Sequence, residues 1–474
     1  MAAAPAIAEI LDVTFIALSQ APWRRPVHDA SLPGLPPGWV MPGALSERIL
    51  AWRAWLAGRT GDRWLLCQRR PDAFCAALIA LWESGRVAVL PADDRPETLA
   101  RLTTEVDGVL PDAPEASAAT LPPPLTPSPA ATAVVLYTSG STGDPVRLGK
   151  RFDQLDAELA AHAMLWPLAD SAVISQVSHQ HIYGLLAGVL HPLSTGAPFC
   201  GDDCRYPEVL ASRLAEVGRA GLTPVVVSSP AQLSRMPDHL PWTDYPAPRR
   251  VFSSGAPLAS QHARHAEHLL RAPVIEIYGS TETGGIAQRR QARDSTWQPL
   301  PGVGLSFDSE RLLLRSAFLE TPDAWWQQPD RVSPRGDGFE LLGRADRVVK
   351  IAGKRVSLAY VERTLAEAPE IIDARCIDLG RGDGRLGAVI TAHGDAMPHE
   401  HATRHGLIQG LRSRLATHLE QVAIPRYWRC VDALPCNAQG KLDRGLIKRL
   451  FADLDDARAP RCWASIAGPP RPAP

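Results

Sequence analysis

Residues 136–147 read Leu-Tyr-Thr-Ser-Gly-Ser-Thr-Gly-Asp-Pro-Val-Arg, and six of them, Thr138, Ser139, Gly140, Ser141, Thr142 and Gly143, are Gly, Ser or Thr in one run. The preceding Ala133-Val134-Val135-Leu136 reads as the end of a buried strand. Glycines let backbone N–H groups turn toward a common point and hydroxyls add donors around it, which is how a polyanion such as triphosphate is wrapped. No Gly-Lys-Ser/Thr closes the loop, so a Walker A assignment fails on spacing. Alone, the loop reads equally as a plain surface turn.

Three later clusters bear on that choice. In Tyr278-Gly279-Ser280-Thr281-Glu282-Thr283-Gly284 an apolar strand ends in an aromatic, hydroxyls and one acid. The ring can stack on a base, a hydroxyl can donate to phosphate, and the carboxylate can hold Mg²⁺, a hard cation that takes oxygen ligands. Gly343-Arg344-Ala345-Asp346-Arg347-Val348-Val349-Lys350 stands alone as a solvated charged turn. Leu434-Pro435 followed by Gly440-Lys441-Leu442-Asp443-Arg444 stands alone as a surface loop with an ordinary lysine.

Together, in this order and at these separations, the four clusters resemble the adenylate-forming superfamily of acyl- and aryl-CoA synthetases, luciferases and nonribosomal-peptide adenylation domains. The likeness runs through most of residues 45–455 and is nearest to compact members of aryl-polyene and polyketide-type pathways. It implies that residues 138–143 hold the ATP phosphates, Tyr278 flanks adenine with Gly279 and Ser280 beside it, Thr281 contacts the α-phosphate and Glu282 binds Mg²⁺. Ser254-Gly255-Ala256-Pro257 is similar to the family's turn beside adenine and the acyl pocket. Asp330 corresponds to the ribose-binding aspartate, Arg344 to its partner and Asp346 to the hinge of a rotating small domain. His181 resembles a gating histidine; Tyr183, Ser229 and Gly284 fall at the substrate pocket; Gly353 falls on a pantetheine tunnel; Lys441 matches the lysine of the adenylation step. Two positions depart from the pattern: Val146 replaces the lysine after the loop's proline, with Arg147 and Lys150 as substitutes, and Gln328-Pro329 precedes Asp330.

Lys441 also has a rationale in charge alone. A carboxylate attacking the α-phosphate brings two anions together, and fixed positive charge aimed at the transition state is worth on the order of 10²–10³ in rate. On a mobile domain that charge is present only when the domain is closed, so one cleft can run two reactions in turn.

The elements that must position these residues follow from periodicity. Residues 1–42 read as Pro-rich and irregular. A helix over 46–58 places Ile49, Trp52, Trp55 and Leu56 on one face and ends at Gly58. Strand 64–67, a helix from Pro71, strand 87–92 and a short strand near Val109 make a βαβ unit with its parallel sheet. Residues 111–130 are Pro/Ala-rich and read as a flexible surface connection. Strands and helices then alternate to about residue 344, with strand-end loops as the usual ligand site. The expected fold is α/β: a large N-terminal domain of parallel-type sheets flanked by helices (1–345), and a small mobile α+β C-terminal domain (346–456) carrying Lys441. Residues 457–474 read as a disordered tail.

Composition narrows the function. A net charge of −1 over 474 residues lacks the basic bias of a nucleic-acid binder. No apolar run reaches the ~18 residues of a membrane span. The first residues lack the basic start of a signal peptide and carry Glu9 and Asp12. Eight scattered cysteines, Cys200 and Cys204 among them, read as reduced cytoplasmic thiols. The expected activity is ATP- and Mg²⁺-dependent conversion of a carboxylic acid, aromatic by the look of His181 and Tyr183, to an acyl-AMP. Transfer to a pantetheine thiol of CoA or an acyl carrier protein follows. Two alternatives stay open: acyl-AMP formation without thiolation, and a degenerate nucleotide-binding protein that no longer catalyses.

Overall fold

Apolar runs with β-branched centres alternate with helical stretches between residues 45 and 280, and each run becomes a strand of one of two sheets. The computed structural model describes residues 15–24, 34–115, 120–139, 145–344, 347–351, 354–379, 386–394, 401–419, 421–435 and 442–452. These fall into two compact units, one from 1–305 with 314–326, the other from 306–313 with 327–474.

In the first unit the strands are β1 (Trp39–Val40), β2 (Arg63–Leu65), β3 (Val87–Leu90), β4 (Gly108–Val109), β5 (Thr132–Ser139), β6 (Pro145–Arg151), β7 (Ser171–Ser175), β8 (Phe199–Cys200), β9 (Thr223–Ser228), β10 (Arg250–Ser253), β11 (Val274–Ser280), β12 (Gly284–Arg289) and β13 (Gln298–Pro299). A five-stranded sheet has the order β4-β2-β3-β5-β6, parallel except for β6, which returns antiparallel along β5 with Thr138 opposite Val146. An eight-stranded sheet has the order β1-β8-β7-β9-β10-β11-β12-β13. It is parallel from β8 to β11 and carries antiparallel strands at both edges.

The helix Ser46–Ala57 buries Ile49, Trp52, Trp55 and Leu56, the face its spacing marks out, together with Arg53. The helix Pro71–Glu83 starts on proline, whose missing N–H costs nothing at that position. It is buried from Phe74 to Trp82, so its hydrophobicity runs all round instead of along a stripe.

The structure departs from the sequence reading in three places. Part of the supposedly irregular N-terminus is docked: Leu18 N–H and Ser19 Oγ donate to Asp156 at 2.5 and 2.7 Å, and Trp23 Nε1 donates to Glu83 at 2.9 Å. The Pro-rich connection forms no helix or strand in its described part, yet Arg24 and Arg53 donate to the Leu125 and Pro122 carbonyls, and Leu125 N–H donates to the Glu83 carbonyl at 2.9 Å. Finally, strand–helix alternation stops at β11. Among the described residues no α-helix lies between Leu270 and Leu358. The reason is the turns: antiparallel neighbours need only short ones, and Gly336, at φ +56°, turns the chain between Arg335 and its partner Gly338.

The second unit holds most of a four-stranded sheet in the order β14 (Gly304–Asp308), β15 (Arg311–Arg315), β16 (Trp326–Arg335) and β17 (Gly338–Arg344). A hairpin follows, β18 (Val348–Ile351) with β19 (Lys354–Ser357), then the helix Leu358–Ala366. A three-stranded sheet of β20 (Ile371–Asp378), β21 (Leu386–Ala392) and β22 (Tyr427–Cys430) packs with the helix His401–Ala416 around Val361, Leu365, Leu415 and Trp428. The expected boundary at residue 345 falls within this unit, after β17, and the 457–474 tail lies outside the described residues. No described helix is long and apolar enough to cross a membrane.

Candidate active site

β7, β9, β10 and β11 end side by side, with Ser175 opposite Val227, Ser253 opposite Ser228 and Ser253 opposite Glu276. Where parallel strands stop, their last polar groups and the following loops face a common crevice. Ser228 Oγ donates to Gln176 Oε1 at 2.7 Å, and Tyr183 OH donates to the Ser228 carbonyl at 3.1 Å. Burial pushes the Tyr183 phenol well above its ordinary value, so it acts there as a fixed neutral donor. Ser229 caps the short helix Pro230–Leu233, accepting from Gln232 N–H at 3.4 Å. Ser254 Oγ donates to the Ile277 carbonyl at 2.7 Å, which pins the start of the exposed turn Gly255-Ala256-Pro257 to β11.

Glu282 lies in the turn between β11 and β12, whose form is set by small residues. Gly284 is at φ +69° and a Cβ there would overlap the Glu158 carboxylate, while a Cβ on Gly279 would overlap the Gly284 carbonyl. Ser280 Oγ and Thr283 Oγ1 lie 3.1 Å apart and bridge the turn's ends, with Thr283 fully buried. Thr281 and Glu282 stay half-exposed, and among the described residues the Glu282 carboxylate has no hydrogen bond or ion pair. Tyr278 leans on Trp297 with ring centroids 5.5 Å apart; Trp297 in turn carries the Arg289 guanidinium at 4.4 Å.

Two buried charges lie against this turn. Lys150 Nζ donates to the carbonyls of Glu282 at 3.0 Å and Phe318 at 3.1 Å. Glu158 Oε1 accepts from Gly285 N–H at 2.6 Å. Burial lowers the Lys150 ammonium and raises the Glu158 carboxyl, and each charge partly offsets the other's shift. Of the two substitutes for the lysine missing at Val146, Lys150 is therefore already engaged by carbonyls. Arg147, opposite Tyr137 in the β5–β6 pair, is exposed.

His181 is the half-buried residue that opens the short helix Ile182–Leu185. His179, two positions earlier, has another task. Its ring lies 4.3 Å from Phe74, and its Nε2 is 2.8 Å from the Gln68 carbonyl, which can only accept, so that nitrogen carries the hydrogen. Burial lowers His179 to about 4.

In the second unit Asp330 and Arg344 are cross-strand partners of β16 and β17. The side chains of Thr138, Ser139 and Arg344, and the whole of Gly140, Ser141, Thr142, Gly143, Asp346, Gly353 and Lys441, lie outside the described residues.

A model of the AMP-binding enzyme family matches residues 57–315, more than half of the chain. The chain belongs to the AMP-binding enzyme family. A 4-coumarate--CoA ligase from Cereibacter sphaeroides is 32% identical over 311 residues, covering 64% of this chain and 69% of the relative. The protein of the same name from Rhodobacter capsulatus is 32% identical over 319 residues, covering 65% and 74%. In fold, a benzoate CoA ligase from Burkholderia xenovorans superposes with a TM-score of 0.75 at 19% identity, over 91% of this chain and all of that one.

Within this AMP-binding enzyme, several residues were not singled out as site residues from sequence. Gln176 and Ser228 are fixed by each other, and nothing in either local stretch marks the pair. Glu158 sits in an ordinary amphipathic helix. Its only sequence signal is a charge on the buried face of Phe152–Leu165, beside Leu155 and Leu159.

Proposed function

We propose that this AMP-binding enzyme is an acid–thiol ligase. The carboxylate oxygen of an acid attacks the α-phosphorus of ATP, the bond to pyrophosphate breaks, and an acyl-AMP remains. A pantetheine thiol then attacks the acyl carbon, its proton is lost, and AMP leaves. The observation that carries this reading is the row of strand ends. β7, β9, β10 and β11 bring Tyr183, Ser229, the Ser254 turn and the Tyr278–Glu282 stretch onto one edge of one sheet. An acid and a nucleotide can therefore meet along that edge.

ATP would have Tyr278 at its base and the Ser/Thr/Gly loop of residues 138–143 at its phosphates. Mg²⁺ fits the residues present: the Glu282 carboxylate is a hard oxygen donor with no hydrogen bond or ion pair among the described residues, and Mg²⁺ is commonly held by one or two carboxylates plus substrate phosphates. No three-residue metal cluster among the described residues competes for it. Bound there, the ion would supply positive charge to the triphosphate. Asp330, with Arg344 opposite, would take the ribose, and the lobe beyond Asp346 would deliver Lys441 for the first half-reaction and Gly353 for the second.

The acid is aromatic in this reading. His181 and Tyr183 would form one wall of its pocket, and the relatives named for 4-coumarate, together with the neighbour named for benzoate, support a flat substrate. The acceptor is CoA or an acyl carrier protein. Pyrophosphate release across a panel of aromatic and aliphatic acids, repeated with CoA and with phosphopantetheinyl carrier protein, tests it. Release with hydroxybenzoate- or cinnamate-type acids and thioester with either thiol is the expected result. Release confined to aliphatic acids overturns the aromatic assignment. Release without any thioester overturns the ligase.

A further inference from the structure

β6 and the helix Phe152–Leu165 follow the Ser/Thr/Gly-rich loop in sequence, and they deliver two opposite charges to a different loop. Lys150 is 3% exposed and Glu158 4%. Lys150 Nζ takes the carbonyl of Glu282, at one side of the β11–β12 turn, and also that of Phe318. Glu158 Oε1 takes the N–H of Gly285, on the far side of the same turn, at 2.6 Å. Between those two points Gly284 packs directly on the Glu158 carboxylate with no room for a side chain. The turn is thus gripped at both ends, a positive group on its carbonyl and a negative group on its amide.

Holding a backbone turn does not by itself call for charge. Removing an ammonium and a carboxylate from water carries a desolvation penalty that their interactions must repay. Charge-assisted hydrogen bonds are, however, about twice as strong as neutral ones, and they hold geometry more tightly. Such stiffness matters where a displacement of about 1 Å can cost on the order of 10²-fold in rate.

We propose that Lys150 and Glu158 are positioning residues for the nucleotide. They clamp residues 282–285 so that the side chains of Thr281 and Glu282 keep a fixed aim, and they tie that aim to the strand leaving the 138–143 loop. The inference rests on the reading of Glu282 as the metal-binding acid. It also gives Lys150 a task other than replacing the lysine missing at Val146.

The test uses the full chain with three variants, K150M, K150M/E158Q and E282Q. Loss of Lys150 alone leaves Glu158 as an uncompensated buried charge and can unfold the protein. The double variant removes both charges, and its glutamine still accepts from Gly285. Three quantities are read: KM for Mg²⁺·ATP and for the acid in pyrophosphate release, melting temperature, and hydrogen exchange of the peptide 278–287. In the double variant we expect KM for Mg²⁺·ATP to rise about tenfold with the acid KM within about twofold. Exchange should quicken in 278–287 and not elsewhere. Faster exchange without a change in KM, or a KM change without faster exchange, overturns the clamp, as does a melting shift with both unchanged. E282Q judges the other reading separately: an unaltered Mg²⁺ requirement there removes Glu282 as metal ligand, whatever the clamp variants do.

Discussion

Asp330 stands directly opposite Arg344 across the antiparallel pair β16–β17. Fourteen positions apart in sequence, the two are brought together by the tight turn at Gly336, and a register shift between Arg331 and Val332 sets the pairing that aligns them. In the proposed reading, the carboxylate at that register position accepts charge-assisted hydrogen bonds from the ribose hydroxyls. D330A should raise KM for ATP in pyrophosphate release about 10- to 100-fold, the worth of hydrogen bonds to a charged group at about 1.5–3 kcal/mol. The acid KM should stay near wild type. An unchanged KM for ATP would remove Asp330 from the nucleotide site.

Lys441 supports a sharper prediction, because it is assigned to one half-reaction only. K441A should reduce acyl-AMP formation by on the order of 10²–10³. Thioester formation from synthetic acyl-adenylate should stay mostly intact. Equal losses in both steps would argue against a lobe that swings between them. Rapid-quench assays of the separate half-reactions supply the measurement.

Acid should destabilise the protein through its buried histidines. His162 and His191 lie with ring centroids 5.8 Å apart, and among the described residues both ring nitrogens of His162 lack a hydrogen-bond partner. Burial lowers His162 to about 4, and burial also lowers His191 well below its ordinary value, with the neighbouring His162 and Arg250 adding to the effect. Each folded-state value lies below the ordinary 6.5, so the unfolded chain binds more protons between the two values and stability falls as pH drops from 6.5 toward 4. For His162 the loss by pH 5 is about 2 kcal/mol. Melting curves between pH 7.5 and 5 should show this slope, and H162F should reduce it by His162's share, leaving those of His179 and His191. The same slope in H162F would place the acid sensitivity elsewhere.

How much of this could be read in the chain depends on the range of the interaction. The helix Ser46–Ala57 and the strand through Ala133–Leu136 are legible because burial there follows local periodicity, although that strand runs on to Ser139, past the expected end at Leu136, because β6 pairs with it there. The docked segment at Leu18 and Trp23 was not, because its partners Asp156 and Glu83 are distant in sequence. The strands from β12 to β17 were read as continued alternation, since short apolar runs look alike whether a helix or a tight turn joins them. At the site, motif order marked Tyr278 and Glu282 as candidates. The bond from Lys150 to Glu282 joins residues 132 apart in sequence, and only the fold reveals it. His179 and His181 differ in the same way: both lie in one polar stretch, and burial alone sends the first to Gln68 and leaves the second half-exposed.

Gly284 offers a test of how closely that turn is toleranced. Its φ of +69° lies where an L side chain is strained, and a Cβ would meet the Glu158 carboxylate and come within 3.1 Å of Phe318 Cβ. Strain at such a position costs roughly 1–2 kcal/mol before any clash. Glu158 can relieve the overlap only by releasing Gly285 N–H, because the same carboxylate makes both contacts. G284A should therefore lower the melting temperature and raise KM for Mg²⁺·ATP together. The control is G221A, at a left-handed glycine (φ +72°) before β9 with nothing close to its absent side chain. It should show the melting shift alone. If G284A proves no worse for Mg²⁺·ATP than G221A, the turn tolerates displacement and its precise placement is not what the nucleotide requires.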